Sequence, residues 1–132
     1  MSLLGRIFLT IAALSLCEAT VLGAYLSHGL QNVLDETSLQ SLQIAVDYQF
    51  YHSLGLLAVV PLLARLPSPV SLGLTGGLLV AGIVLFCGSI YATTAGAPSF
   101  VGQAAPLGGL CFIAGWLSCA YAVWRLKPHV LR

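Results

Sequence analysis

Residues 70–94 read VSLGLTGGLLVAGIVLFCGSIYATT and carry no charged side chain. A helix needs roughly 20 predominantly apolar residues to cross the hydrocarbon core of a bilayer. Three other apolar stretches have a similar length, and alternation typical of a transmembrane β-barrel is absent. The sequence therefore predicts an all-α, integral membrane four-helix bundle. The four predicted spans are residues 7–30, 39–63, 70–94 and 105–124.

Composition supports the same fold class. Hydrophobic residues make up 58% of the 132-residue chain, and charged residues make up 7%. A soluble domain carries about 25% charged residues, so this chain has too few charges to cover a soluble surface. Its formal net charge is +1, without the basic stripe that nucleic-acid binding requires. We expect residues 1–132 to form a single transmembrane domain whose partner is the lipid bilayer and not a nucleic acid.

Polar and proline-containing segments separate the predicted helices. Residues 31–38 form a polar turn, and Thr37 or Ser38 is suited to cap the second helix. Prolines within 66–69 and 96–99 precede the third and fourth helices, and proline has no N–H with which to continue a helix. Connections this short predict antiparallel neighbours in up-down-up-down order.

The basic residues predict the orientation of the bundle. In a four-span arrangement all of them fall on one side of the membrane, whereas Asp35 and Glu36 fall on the other. Because loops rich in Lys and Arg stay in the cytoplasm, we expect both termini to be cytoplasmic. The basic residues are Arg6, Arg65, Arg125, Lys127 and Arg132.

The cysteines lie within the predicted spans and form no Cys-x-x-Cys pair. We interpret Cys17, Cys87, Cys111 and Cys119 as buried free thiols that pack as small apolar side chains. Neither Cys-x-x-Cys nor His-x-x-x-His spacing concentrates metal ligands in this sequence. We therefore predict no metal site and no cofactor.

Four ionisable side chains lie within the apolar stretches, and they are Glu18, His28, Asp47 and His52. Such groups are costly in hydrocarbon and usually face the interior of a helix bundle, so each is a candidate site residue. At a rise of 1.5 Å per residue, Glu18 and His52 lie about 18 Å and about 20 Å from the predicted cytoplasmic side. Since spans one and two are joined by a short turn, we expect Glu18 to pair with His52 near mid-membrane.

A second pair is expected closer to the opposite surface. On the same scale, Asp47 lies level with Tyr25 and just below His28. Asp47 is therefore predicted to pair with His28 or Tyr25. Tyr48 and Tyr51 lie beside it in the sequence and could donate hydrogen bonds to either carboxylate.

Three interpretations of these polar residues stay open. They can be structural hydrogen bonds between helices, worth about 0.6 to 2 kcal/mol, they can carry a proton or small cation, or they can bind a ligand. Haem is disfavoured because His28 and His52 differ in depth by about 13 Å. Ser53 follows His52 directly, and adjacent residues do not face each other on a helix. No catalytic arrangement is predicted, and we expect the protein not to be an enzyme.

Small residues recur at helical spacing in the third predicted span. Gly73, Gly77 and Ala81 follow one another at four-residue intervals. Rows of small residues let helix backbones approach closely in lipid. We predict that this row packs helices within the chain, with contact between copies as the alternative. The further predicted packing positions are Gly88, Gly108 and Gly109.

Four segments together resemble a small bacterial family of unknown function, the YgdD/YwdK type, whose animal relatives are called transmembrane protein 256-like. Residues 23–30, GAYLSHGL, are similar to its G-A-F-G-A-H-G-L element, and residues 45–54 are similar to its Y-Q-x-x-H-x-L core. Residues 85–91, LFCGSIY, match its L-F-S-G-S-L-Y, and residues 105–116 resemble its T-P-x-G-G…G-W. The resemblance implies four helices, a membrane location and no assigned reaction. We expect the membrane to be the bacterial inner membrane.

The chain departs from that family pattern in three places. Ala105 stands where threonine is usual, and Cys87 replaces a serine. Glu18 does not belong to the pattern, so any role for it concerns this chain alone.

Two functions are compatible with these observations. We expect an accessory or structural subunit that acts through helix–helix contacts in a larger membrane complex or a homo-oligomer. The alternative is a proton-coupled or small-cation transporter or channel that uses the four intramembrane ionisable residues.

Overall fold

The computed structural model describes residues 2–65 and 69–125, and all regular structure within them is helical. The first two helices are α1, Leu3–His28, and α2, Glu36–Leu63. The predicted all-α, four-helix architecture is confirmed. The helices begin and end within a few residues of the predicted boundaries.

The third helix consists of three consecutive segments. They are α3 (Pro69–Gly82), a π-helical segment (Ile83–Cys87) and α4 (Gly88–Thr94). A short 3-10 helix, Ser99–Gln103, leads into the fourth helix, α5, Ala104–Trp124. The predicted break between the second and third helices, at 66–69, lies mostly outside the described residues. The basic residues Lys127 and Arg132, which were used to predict the orientation, also lie outside them.

Within residues 2–65 and 69–125, three helices are long and apolar enough to cross a membrane, namely Leu3–His28, Val70–Thr94 and Ser99–Trp124. Helix α2 has 28 residues, which is also long enough, but it is less apolar than the others. It packs against α1, the third helix and α5. Its polar residues Gln49, His52 and Ser53 are buried in these contacts.

Helices α1 and α2 form an antiparallel pair. Ser53 donates a hydrogen bond to Ser15, whereas Gly23 lies against Val46 further along α1. Partner residue numbers thus rise on one helix as they fall on the other. The short connection between the two helices accounts for this arrangement, as the sequence predicted.

The third helix and α5 form the second antiparallel pair. Thr75 and Ser118 are 3.0 Å apart, and either hydroxyl can be the donor. Towards the other end of the pair, Gly108 lies against the backbone of Phe86. The up-down-up-down order puts Arg6, Arg65 and Arg125 at one end of the bundle and the α1–α2 turn at the other.

Two clusters of buried apolar side chains hold the bundle together. The larger joins all four helices, and the smaller lies between α1 and α2 near their connecting turn. Outward-facing residues such as Leu14, Val21 and Leu117 are exposed, which suits a surface covered by lipid. The larger cluster contains Phe8, Ala12, Leu56, Val60, Leu63, Leu72, Leu79, Phe112 and Ala122.

Glycines opposite aromatic rings set the closest helix approaches. A Cβ at Gly76 would lie 2.4 Å from the ring of Phe8, and one at Gly82 would lie 2.4 Å from the ring of Phe112. At Gly108, a Cβ would lie 2.3 Å from the backbone nitrogen of Phe86. The predicted packing role of Gly108 therefore has a direct structural basis.

The other predicted packing glycines do not make such contacts. A Cβ at Gly73 would meet Leu4 at an ordinary 3.6 Å. In the described part of the chain, a Cβ at Gly77, Gly88 or Gly109 would have no atom within 4 Å beyond the adjoining residues and the local helix backbone. Ala81 is half-buried. The four-residue spacing was misleading because neighbouring aromatic rings decide where backbones must approach, and their positions are not encoded in that spacing. Gly77, Gly88 and Gly109 therefore correct the prediction of close packing within the chain, whereas Gly73 packs against Leu4 at an ordinary distance. Contact between copies of the chain stays a prediction.

The π-helical segment lies where the third helix meets Gly108. The N–H of Gly88 bonds to the carbonyl of Ile83, five residues earlier, so this turn holds one residue more than an α-helical turn. Ser89 donates to the carbonyl of Phe86 at 3.0 Å. Phe86, within this segment, also lines the aromatic pocket described below.

Helix α2 is capped by Asp35 and not by Thr37 or Ser38. The Asp35 carboxylate accepts from the backbone N–H of Ser38 at 3.0 Å and from its hydroxyl at 2.7 Å. These hydrogen bonds hold the pKa of Asp35 below its usual value of 3.8. The helix starts earlier than predicted because the acidic side chain reaches its first free N–H groups.

The cysteines are free thiols, as the sequence predicted. Cys87 and Cys119 are buried and Cys111 is half-buried. Cys17 is exposed on α1, which corrects its predicted burial. It lies on the outward side of α1, where no other helix of the described residues covers it.

We expect Gly108→Ala to lower the melting temperature in mild detergent, because its methyl group would press on the Phe86 backbone. Overpacking of this kind costs about 1–3 kcal/mol. Gly109→Ala has open space and gains about 1 kcal/mol of helix propensity, so it should raise the melting temperature. Equal effects of the two substitutions would contradict the observed packing.

Acidification should weaken the α2 cap. Because the folded-state pKa of Asp35 is lowered, its carboxylate stabilises the fold above its ordinary pKa. That stabilisation is lost as the pH falls through the lower folded-state value. Asp35→Asn still caps the helix but does not titrate, so its melting temperature should approach the wild-type value in acid. A constant difference at all pH values would refute this.

Candidate functional site

A buried amide on α2 is the centre of a polar cluster that joins three helices. Gln49 is 1% exposed. Its nitrogen lies 3.0 Å from the Ser15 carbonyl, 3.1 Å from the Ser15 hydroxyl and 3.0 Å from a Glu18 carboxylate oxygen. Its oxygen accepts from the Tyr91 hydroxyl at 2.6 Å. Ser53 completes the set by donating to the Ser15 hydroxyl at 2.8 Å. We call these five residues the Gln49 cluster.

The chemistry of an amide explains why glutamine occupies this position. Its NH₂ group only donates and its oxygen only accepts. It can therefore bond to the acceptors of α1 and to the donor of the third helix at once. Throughout residues 2–65 and 69–125, no buried side-chain polar atom lacks a hydrogen-bond partner.

The sequence predicted that Glu18 pairs with His52, but Glu18 bonds to Gln49. The depth estimate placed Glu18 at the correct level, but the face of α2 that meets α1 carries Gln49 and Ser53. His52 follows Gln49 by three residues and therefore points about 60° away around α2, where it stacks on Phe112 of α5. Glu18 itself is exposed at the surface of the bundle.

His52 belongs to an aromatic stack between α2 and α5. It is 7% exposed, and its ring lies parallel to that of Phe112 with the centroids 3.4 Å apart. Its Nδ1 is 2.6 Å from the carbonyl oxygen of Tyr48. Because a carbonyl can only accept, Nδ1 carries the proton in this contact.

The predicted outer pair does not form. Asp47 accepts a hydrogen bond from Gln43, one turn earlier in α2, at 2.8 Å. His28 and Tyr25 are exposed in the last turns of α1, and in the described part of the chain neither hydrogen-bonds to Asp47. A partner within its own helix satisfies Asp47, so no contact across the helix pair is needed.

The aromatic side of α2 borders a pocket of about 460 Å³. Tyr48 stacks on Phe86 with the ring centroids 4.9 Å apart. Trp116 closes another wall, its ring centroid 6.1 Å from that of His52. We call this the aromatic pocket, and its lining residues are Tyr48, Tyr51, His52, Phe86, Gly109, Phe112, Ile113 and Trp116.

Sequence reasoning missed most of the Gln49 cluster because it searched for ionisable residues. Gln49, Ser15, Ser53 and Tyr91 are neutral. One signal was available: Gln49 and Ser53 are four residues apart and share a face of α2, as Ser15 and Glu18 share a face of α1. In residues 2–65 and 69–125, no three His, Cys, Asp or Glu side chains come together as potential metal ligands.

Comparison with known proteins now gives the family. Residues 22–109 match the family described as protein of unknown function DUF423, and the chain belongs to this family. The UPF0382 membrane protein YwdK of Bacillus subtilis is 37% identical over 117 residues, which is 89% of this chain and 95% of the relative. No solved structure matches.

Two further relatives agree. A UPF0382 membrane protein of Haemophilus influenzae is 34% identical over 91% of this chain and 95% of its own length. One of Staphylococcus epidermidis is 37% identical over 91% of this chain and 97% of its own length. The predicted resemblance to the YwdK type is confirmed. Together with the long apolar helices, these matches make the chain a membrane protein.

A double-mutant cycle between Gln49→Leu and Tyr91→Phe measures the bond that joins the two helix pairs. We expect a coupling energy of about 0.6–1.7 kcal/mol, the range for hydrogen bonds between transmembrane helices. Reversible unfolding in mixed detergent micelles gives the four free energies of unfolding.

The matched control combines Gln49→Leu with Thr75→Val. Thr75 bonds to Ser118 and belongs to no part of the Gln49 cluster, so these two changes should add within about 0.5 kcal/mol. Strict additivity between Gln49→Leu and Tyr91→Phe would show that their hydrogen bond contributes nothing to stability.

Proposed function

We propose that the protein is an accessory or structural subunit that acts through helix–helix contacts, in a larger membrane complex or a homo-oligomer, and not as an enzyme. The observation that carries this proposal is the position of Glu18. Glu18 lies near the middle of a membrane-spanning helix, yet its side chain is exposed on the outer surface of the bundle.

Glu18 lies near the middle of α1, about 22 Å from Leu3 and about 15 Å from His28 along the helix. It is exposed and receives one hydrogen bond, from Gln49 at 3.0 Å. A carboxylate at the centre of a membrane helix costs about 2.5–3.5 kcal/mol on insertion scales. A partner helix that brings a cation or a hydrogen-bond donor to Glu18 would offset this cost.

The surroundings of Glu18 suit such a contact. Leu14 and Val21 lie one turn before and one turn after it on α1, and both are exposed. A second helix that carries a complementary polar residue can pack on this apolar surface without leaving Glu18 as an unpaired buried charge. The partner is therefore expected to carry one complementary polar residue among apolar ones.

The transporter alternative has less support from the geometry. Glu18 bonds to Gln49, whereas Asp47 and His52 each bond within α2. In the described residues no hydrogen-bonded chain links these three side chains. A pathway for protons or cations would need such a chain or a polar cavity between them.

We also propose that the bundle lies in a bacterial inner membrane with both termini in the cytoplasm. Arg6, Arg65 and Arg125 lie at the same end of the helices, and Asp35 and Glu36 lie at the opposite end. The retention of basic residues in the cytoplasm supports this orientation.

Glu18→Gln tests the proposal. Glutamine keeps an oxygen near Gln49 but removes the charge, so the fold should be retained and a charge-dependent contact weakened. We expect the wild-type protein, extracted in mild detergent from its native membrane, to migrate on native gels as an assembly larger than the monomer. Glu18→Gln should shift at least half of it to the monomer.

Asp47→Asn is the matched control, because Asp47 is satisfied by Gln43 within the same helix. It should leave the assembly intact. A monomeric wild type, or an assembly that Glu18→Gln leaves unchanged, would overturn the proposed contact. Circular dichroism and the melting temperature of the purified variants establish that both are folded.

A further inference from the structure

The aromatic pocket shares no residue with the Gln49 cluster and lies on the side of α2 that faces α5. Its volume of about 460 Å³ falls within the range of about 300–1,000 Å³ found for small-molecule sites. Its walls come from α2, the third helix and α5. Stacked rings on several sides favour a flat occupant over a flexible acyl chain.

The pocket contains a hydrogen-bond acceptor. Since Nδ1 of His52 donates to the Tyr48 carbonyl, Nε2 is the unprotonated acceptor in the neutral ring. Nε2 has no hydrogen-bond partner in the described residues. Because every fully buried side-chain polar atom there has a partner, Nε2 is not fully buried. Nε2 is therefore reached from the pocket.

The pocket also contains hydrogen-bond donors. Tyr51 follows Tyr48 by one helical turn, and His52 lies beside it on the same side of α2. Neither phenol hydroxyl bonds to another side chain within residues 2–65 and 69–125. Tyr51 is 63% exposed, so its hydroxyl is available to an occupant.

The depth of the pocket excludes charged occupants. His52 lies about 24 Å from the start of α2 and about 17 Å from its end. A phosphate or ammonium head group at that level would have to leave the interface and enter hydrocarbon, at a large cost. A neutral ring with polar substituents can hydrogen-bond to the pocket at this depth, and an apolar tail attached to it can lie in the hydrocarbon.

Gly109 keeps the pocket open. It lines the pocket, and nothing lies within 4 Å of where its Cβ would be. Its neighbour Gly108 is pressed against Phe86, so the two adjacent glycines have different consequences. Gly108 brings the helices together, and Gly109 leaves the space beside the rings.

We propose that the aromatic pocket binds the ring of a lipid-soluble quinone or its quinol. The quinol hydroxyl donates to Nε2 of His52. A carbonyl oxygen of the quinone, or a hydroxyl oxygen of the quinol, accepts from the Tyr51 hydroxyl. The ring lies among the aromatic side chains, and the isoprenoid tail leaves laterally into the lipid.

Trp116 provides the measurement, because it lines the pocket and quinones quench indole fluorescence. Trp124 is 89% exposed, so Trp124→Phe leaves Trp116 as the sole tryptophan without disturbing the packing. Decylubiquinone is titrated into this full-length protein in liposomes, with decanol as the tail-only control. We expect saturable quenching by decylubiquinone and none by decanol.

Gly109→Leu and Gly77→Leu form a matched pair in the Trp124→Phe background. Both glycines have open space around them, but only Gly109 lines the pocket. Gly109→Leu should weaken binding at least tenfold, and Gly77→Leu should leave it unchanged. Linear quenching that is equal in both variants would show simple partitioning into the bilayer and overturn the proposal.

Two polar substitutions test the hydrogen bonds independently of pocket volume. Tyr51→Phe should weaken decylubiquinone about tenfold. His52→Phe keeps a ring beside Phe112 but loses Nε2, so it should weaken decylubiquinol, measured by competition, more than decylubiquinone. Unchanged affinity for both forms in both variants would overturn the proposal, even if Gly109→Leu fails to fold.

Discussion

In the interior of the bundle, one buried amide hydrogen-bonds in two directions and links the two helix pairs. Gln49 donates to α1 through its nitrogen and accepts from the third helix through its oxygen. In hydrocarbon no water can replace a lost partner, so each polar group must be satisfied by protein. A single side chain with both functions can join the α1–α2 pair to the third helix without placing a charge between them.

This constraint explains why the least apolar helix is packed against all the others. Helix α2 divides its polar side chains between two faces. Gln49 and Ser53 meet α1 in the Gln49 cluster, in which every buried polar side-chain atom is paired. Tyr48 and His52 face the third helix and α5, where the rings leave a pocket open. One helix thus supplies both a structural bond and a candidate binding site.

The two proposals use different parts of the bundle. The proposed contact surface is on α1 around Glu18, and the aromatic pocket is formed by the other three helices. A partner that covers α1 would leave the pocket open to lipid. A subunit of this kind could therefore belong to an assembly and hold a lipid-soluble ring at the same time, and neither property requires the other.

Local properties of the sequence determined the helices. Apolar length, prolines and polar turns predicted four helices, their order and their approximate ends, because each depends on a short stretch of chain. The same scale of 1.5 Å per residue gave Glu18 a level close to that of its true partner. Family membership also followed from short motifs such as LFCGSIY at 85–91.

Only the tertiary structure decided which side chains meet. Successive residues on a helix point about 100° apart, so depth alone could not distinguish Gln49 from His52 as the partner of Glu18. The rotation of α2 about its axis depends on packing against three neighbours at once. The same holds for two adjacent glycines, Gly108 and Gly109, which the sequence does not distinguish. The position of Phe86 makes Gly108 a tight contact and leaves open space at Gly109.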